Sequence, residues 1–147
     1  MEPDVSRRTD YESIASVFNR RYQDNDYSGV ESALRRFLAS QSHLDVLDAG
    51  CGTAYWLKQL ESAERRIIGV DASANMLRQA TQRGGCALVH AQAEALPFRA
   101  ASFDRIFCLN SLHHFTDKHA FVTEAARLLR RGGSFMTVGL DPHTGLD

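Results

Sequence analysis

From about residue 44 onward, short apolar runs alternate with amphipathic stretches, and this alternation sets the expected architecture. The runs predict five strands: 44–48, Arg66–Asp71, 86–90, Phe103–Leu109 and Ser134–Leu140. Between them fall helices over 53–63, from a capping Ser73 to a stop at Gly84-Gly85, and over 117–130. A proline-bearing loop occupies 91–102. Upstream, Ile14, Val17 and Phe18 recur at helical spacing and predict a helix over 10–22, after a polar stretch at 1–9. A turn at Asp24–Gly29 leads to a second helix ending near Ser40, with Val30, Leu34, Phe37 and Leu38 on one side. Strands this short and continuously apolar are expected to be buried on both faces. Alternation with helices then implies right-handed crossovers and an α/β, doubly wound, Rossmann-like parallel sheet. The expected organisation is a helical cap over 1–42 and an α/β core over 43–147.

Composition narrows the class. The chain has 147 residues, enough for one domain with a real core, and 44% of them are hydrophobic. Seventeen basic residues oppose eighteen acidic ones, so no charge surplus favours nucleic acid or an anionic membrane. The five Arg pairs are scattered along the chain and read as solvated helix faces and ends. Cys51, Cys86 and Cys108 lack the paired spacing of a zinc site or a dithiol, and Cys86 and Cys108 sit in apolar runs as small hydrophobes. The polar start, Met1-Glu2-Pro3-Asp4, does not resemble a secretory leader, and no apolar run is long enough to span a bilayer. A reducing, cytoplasmic setting is expected.

The chemistry concentrates in Val46-Leu47-Asp48-Ala49-Gly50-Cys51-Gly52-Thr53-Ala54, an apolar run that ends in an acid and a Gly-x-Gly turn. Glycines let the backbone turn sharply off a strand and approach a ligand, with the first donors of the next helix expected to face it. Gly50 and Gly52 fit two positions of a dinucleotide fingerprint, but Tyr55 takes the third, where it is expected to obstruct the approach. Asp71 ends the second strand, where a carboxylate can accept from both hydroxyls of a ribose. Further blocks follow in order: Gln92–Phe98 beyond strand 3, Ser102-Phe103-Asp104 opening strand 4, Asn110–Phe115 after it, and Leu128–Gly133 before strand 5.

In this order and spacing, residues 44–140 resemble the class I S-adenosylmethionine-dependent methyltransferases. The likeness is to the small-molecule branch that includes the quinone-biosynthesis methyltransferases. The resemblance implies S-adenosylmethionine as cofactor and methyl transfer to a small-molecule acceptor. It puts Gly50, Cys51 and Gly52 along the methionine portion, with Asp48 at its ammonium end. It assigns Asp71 to the ribose, Ala72 and Ser73 to the adenosine, and Gln92, Ala93 and Glu94 to the border of the adenine. Asn110 faces the methionine end. The N-terminal helix, with Tyr11, Arg20 and Tyr22, supplies a lid in this branch.

Methyl transfer needs a nucleophile held about 3 Å from the methyl carbon and water kept out. His113 and His114 follow strand 4. Adjacent side chains on a helical turn diverge by roughly 100°, so both cannot aim at one pocket. The family places His at the second position, making His114 the residue expected on the acceptor side, as orienting group or general base. The remaining histidines lack a carboxylate or Cys neighbour at ligand spacing, and no metal is expected. Two departures are local: Ala54 replaces a frequent Gly, and Gln92 a frequent Asp, so the contact to the adenine amino group loses its charge. The third concerns the end of the chain. The family sheet has seven strands, so strands 6 and 7 are expected to lie in a longer protein or to come from a partner. Strand 5, left as an apolar edge, would suit pairing with a second copy. The rival readings are a non-catalytic cofactor-binding module or partner subunit, and a nicotinamide dehydrogenase.

Overall fold

The computed structural model describes residues 20–24, 26–85 and 87–139. Most of the expected first helix, with Tyr11, and the positions Cys86 and Leu140 lie outside them. The chain enters through helices α1 (Arg20–Asp24) and α2 (Ser28–Phe37), then alternates strand and helix. The order is β1 (Leu44–Ala49), α3 (Tyr55–Gln59), β2 (Arg65–Asp71), α4 (Ala74–Thr81), β3 (Ala87–His90), β4 (Phe103–Leu109), a 3-10 turn (Leu112–His114), α5 (Lys118–Leu128) and β5 (Leu129–Val138). All strand pairs are parallel, in the spatial order β3-β2-β1-β4-β5. The expected doubly wound sheet is therefore present with five strands. Its switch point falls between β1 and β4, where successive connections leave in opposite directions and open a cleft at the carboxyl ends.

Side chains of a strand alternate between faces, and in β1 and β4 both faces are covered. Leu47, Ala49, Ile106 and Cys108 pack with Phe121, Ala125 and Leu128 of α5. Val46 and Phe107 point the other way, onto Leu34 and Leu38 of the α2 region and onto Trp56 and Leu60. Leu34 and Leu38 are therefore part of the core, and α2 closes one face of β1. Arg105 Nε also donates to the Phe37 carbonyl at 3.2 Å and ties down the end of α2.

Three element boundaries differ from expectation. The helix expected over 53–63 shrinks to the five residues of α3. Ala54 has a φ of 63°, a left-handed conformation that delays the helix, and a Ser62–Arg65 bridge turns the chain into β2. The helix expected over 117–130 stops at Leu128, where Leu129 turns extended. Leu129 pairs with Phe103 and Ser134 with Arg105, so 130–133 bulge out around Gly132 before the regular ladder begins at the expected Ser134. The Ser73 cap is present, its Oγ accepting from Met76 N at 3.1 Å.

The amino ends of the strands are joined by charge. Asp104 Oδ2 accepts from Asp45 N at 2.8 Å, and Arg130 Nη1 bridges Asp45 and Asp104 at 2.9 and 3.0 Å. Arg66 reaches Asp45 from β2. This seam holds the end of the sheet opposite the cleft.

Candidate functional site

The cleft is a cavity of about 330 Å³, within the range of small-molecule sites. The residues expected along the cofactor line it: Asp48, Gly50, Cys51 and Gly52 from the first turn, and Asp71, Ala72 and Ser73 from the second. Gln92, Ala93 and Glu94 come from the loop after β3, and Asn110 and His114 from the connection after β4. Four segments far apart in the chain converge because the parallel sheet aligns the carboxyl ends of β1 to β4.

The glycine turn works differently from expectation. Gly50 has a φ of 77°, and a Cβ there would come within 2.6 Å of Ser111 Cβ. What Gly50 admits is the β4 connection, whose Ser111 Oγ donates to the Gly50 carbonyl at 3.1 Å. The turn's donors are not aimed at a ligand either. Gly50 N and Cys51 N both donate to the Val70 carbonyl, at 2.7 and 2.9 Å, and Gly52 N donates to Asp71 Oδ2 at 2.8 Å. Spent on β2, these groups do not form the cradle of N–H donors that a pyrophosphate requires. Tyr55 does not obstruct the cavity. Its ring stacks on Tyr22 at 3.9 Å with 7° between planes, and Tyr55 itself does not line the cavity. Hydrogen bonding, not Tyr55, is what makes the turn a poor phosphate site.

The two acids differ in environment. Asp71 is half-buried and oriented by two backbone donors, Gly52 N on Oδ2 and Ser73 N on Oδ1, each at 2.8 Å. Asp48 is 2% exposed and joins no salt bridge among the described residues. Burial, reinforced by the negative charge of Asp71, pushes its carboxyl well above the usual range. It also acts on Cys108 behind it, whose thiol burial and Asp48 push up to about 12. That thiol is an inert core group. A buried carboxyl held neutral or unpaired beside a cavity is suited to a cationic ligand group, which would restore its charge.

On the far wall, Ala93 is buried and Gln92 exposed, while Glu94 Oε1 accepts from Asp117 N at 3.2 Å. Asn110 adopts a φ of 55° as β4 ends, and its N–H donates to the Val138 carbonyl at 2.6 Å. His114 lines the cavity and His113 does not, although their ring centres are 3.8 Å apart. Instead of diverging widely, the two rings lie side by side, and only that of His114 borders the cavity.

Of the roof, the resemblance named Tyr22 as part of a lid, and sequence reading missed Tyr27, Val30 and Trp56. Tyr22, Tyr27 and Val30 line the cavity from above, with Trp56 from α3. Tyr22 and Tyr27 both meet the Trp56 ring edge-on, at 6.4 and 6.1 Å. The only sequence signal was a concentration of aromatics near residues 22–27 and 55–56, equally readable as packing. Ser111 was also missed, since its role follows from its closeness to Gly50.

An open parallel sheet in the order β3-β2-β1-β4-β5, with acids at the ends of β1 and β2 beside a glycine turn, is the Rossmann-like architecture of the class I methyltransferases. Residues 47–137 match the Methyltransferase domain family, and the chain belongs to it. It is 38% identical over 99 residues to the YcgJ methyltransferase of Bacillus subtilis, covering 63% of this chain and 39% of that protein. It is 32% identical over 139 residues to a malonyl-[acyl-carrier protein] O-methyltransferase of Erwinia billingiae, covering 88% of this chain and 55% of the relative. A Haloferax volcanii methyltransferase solved in complex with the Trm112 activator superposes with a TM-score of 0.78 at 25% identity, covering 90% of this chain and 61% of the other. The chain thus spans about half the length of the curated relatives it matches.

Membership implies S-adenosylmethionine as cofactor. The residues present fit it: a buried acid in no salt bridge among the described residues suits its cationic end, a carboxylate oriented by backbone donors suits its ribose, and Val70, Met76 and Ala93 give an apolar border for a flat base. No helix among the described residues is long and apolar enough to cross a membrane.

Proposed function

We propose that this chain binds S-adenosylmethionine in the switch-point cavity and transfers its methyl group to a small-molecule acceptor. The observation that carries the reading is the pairing of Asp48 and Asp71 in one cavity, one buried and without a cation, the other oriented by two N–H donors. Asp71 accepts from the ribose hydroxyls, and Asp48 takes the ammonium. Gly50, Cys51 and Gly52 lie along the methionine portion with Asn110 opposite, Ala72 lies along the adenosine, and Gln92, Ala93 and Glu94 border the adenine. When bound, the sulfonium supplies a methyl carbon open to in-line displacement. His114 stands on the acceptor side and orients the nucleophile, or takes its proton where the acceptor is a phenol or carbon acid. The aromatic roof excludes water. An amine or thiol acceptor asks little beyond this placement.

The test is calorimetric titration with S-adenosylhomocysteine beside a methyl-transfer assay over phenol, amine, thiol and quinone-like acceptors. Wild-type chain is expected to bind, and D71A to bind tenfold to a hundredfold more weakly, since hydrogen bonds to a charged group contribute about 1.5–3 kcal/mol each. Unchanged affinity in D71A refutes the assignment. Binding without turnover on any acceptor favours the second reading, a cofactor-binding module that acts with a partner subunit or, through the β5 edge, with a second copy. The aromatic roof and oriented acids would serve that role equally.

A further inference from the structure

Glu124 and Arg127 stand on α5 outside the cavity, yet they hold the loop that forms its base-side wall. Between β3 and β4 the chain has no regular structure, and Gln92–Glu94, which line the cavity, lie within that stretch. At its start the loop is pinned by Ala91 N on the Asp71 carbonyl at 3.2 Å. At its far side both backbone groups of Leu96 are taken by the pair. Leu96 N donates to Glu124 Oε2 at 2.7 Å, and Arg127 Nη2 donates to the Leu96 carbonyl at 3.1 Å. Arg127 Nη1 also donates to the Phe98 carbonyl at 2.8 Å. Arg127 Nε and Nη2 close the ring on Glu124 at 2.8 and 2.9 Å. The Leu96 side chain, 5% exposed, is packed in the same cluster as Phe121 and Ala125 of α5. The planar guanidinium fork is what allows one residue to serve two carbonyls and a carboxylate together.

We propose that the Glu124–Arg127 pair is a positioning device that sets the height of the 92–94 wall, and so determines how strictly the cavity distinguishes adenine from other bases. The proposal rests on the S-adenosylmethionine reading above. A base edge is read by hydrogen bonds from a wall at fixed distance, and small displacements of such a wall are expensive. Adenine and hypoxanthine exchange donor and acceptor along that edge, whereas Asp71 grips the ribose of either. A merely structural role for the pair would weaken both ligands alike. A positioning role lowers the ratio between them.

The experiment measures dissociation constants of S-adenosylhomocysteine and S-inosylhomocysteine for the wild-type chain, D71A, E124Q, R127A and R127K. The preference for adenine is expected to fall at least fivefold in R127A. It should also fall in R127K, which keeps the charge but cannot span both carbonyls. E124Q keeps one oxygen for Leu96 N but sets its amide N–H2 against Arg127 Nε, so the preference is expected to fall there too, by less than in R127A. D71A should weaken both ligands and leave the preference unchanged. If R127A fails to fold by circular dichroism, R127K decides. A preference that survives both Arg127 variants, with D71A still weakening both ligands, overturns this proposal alone. A wild-type chain that binds neither ligand overturns the cofactor reading, and this proposal with it.

Discussion

Replacing Asp48 with asparagine should stabilise the ligand-free protein and weaken its cofactor binding, opposite effects from one near-isosteric change. Asp48 is 2% exposed, lies near Asp71, and joins no salt bridge among the described residues. Burial and the Asp71 charge hold its carboxyl well above the ordinary value of 3.8. The folded state therefore keeps a proton that the unfolded chain releases. By linkage, stability falls as pH rises from the ordinary carboxyl range towards the raised folded value, and the loss is complete above it. The cost has a ceiling, because a strained carboxylate can always protonate. For an ordinary aspartate at pH 7 that ceiling is about 4.4 kcal/mol. Hydration and relaxation reduce it, so D48N should gain about 1–3 kcal/mol, or roughly 3–10 °C in melting temperature for a chain of this size. Thermal melts without ligand, from pH 4 to pH 8, test this directly. The variants should melt together at the acid end, with D48N gaining as pH rises. Calorimetry with S-adenosylhomocysteine should show D48N binding about tenfold to a hundredfold more weakly, having lost the charge that faces the ammonium. A D48N protein that melts at or below wild type at pH 8 without ligand refutes the argument.

Other consequences are equally measurable. G50A should lose about 2–4 kcal/mol in urea unfolding, because φ is positive and the new Cβ meets Ser111 Cβ at 2.6 Å; G50A/S111G should recover part of that loss by removing the clash. D104N should cost up to about 1 kcal/mol at neutral pH, since Arg130 is well exposed and the bridge is screened. Burial raises the Asp104 carboxyl, but hydrogen bonds from Asp45 N and Arg130 outweigh it and leave the value lowered. That stability is present above the ordinary carboxyl value and is lost as pH falls through the lowered one, so wild type and D104N should converge in acid denaturation.

The strand and helix order, the turn at Gly50–Gly52 and the acids at its edges were legible because each is a local pattern. Apolar runs of strand length, Ser73 before a helix and Asp71 at a strand end carry their meaning within a few residues. The residues that follow β1 to β4 at the cavity were legible too, since in a parallel sheet the residues after each strand share one edge. Sequence reading misjudged α3, because nothing local shows that Ala54 adopts a left-handed conformation. Where the Tyr55 ring goes, onto Tyr22, is decided by packing and not by any local pattern.

Tertiary structure alone decided what each group does. Strand pairing brought β4 beside β1, and with it Ser111 against Gly50, residues 61 positions apart that no local pattern connects. Pairing also directed the turn's N–H groups to Val70 and Asp71, which removed a phosphate cradle that the Gly-x-Gly pattern suggested. The charge state of Asp48 followed from its depth, and the hold of Glu124 and Arg127 on the cavity wall from a helix docked nearly 30 residues later. Identity and periodicity are written along the chain. Hydrogen-bond partners and desolvation depend on which distant segments meet, and those are settled only when the sheet closes.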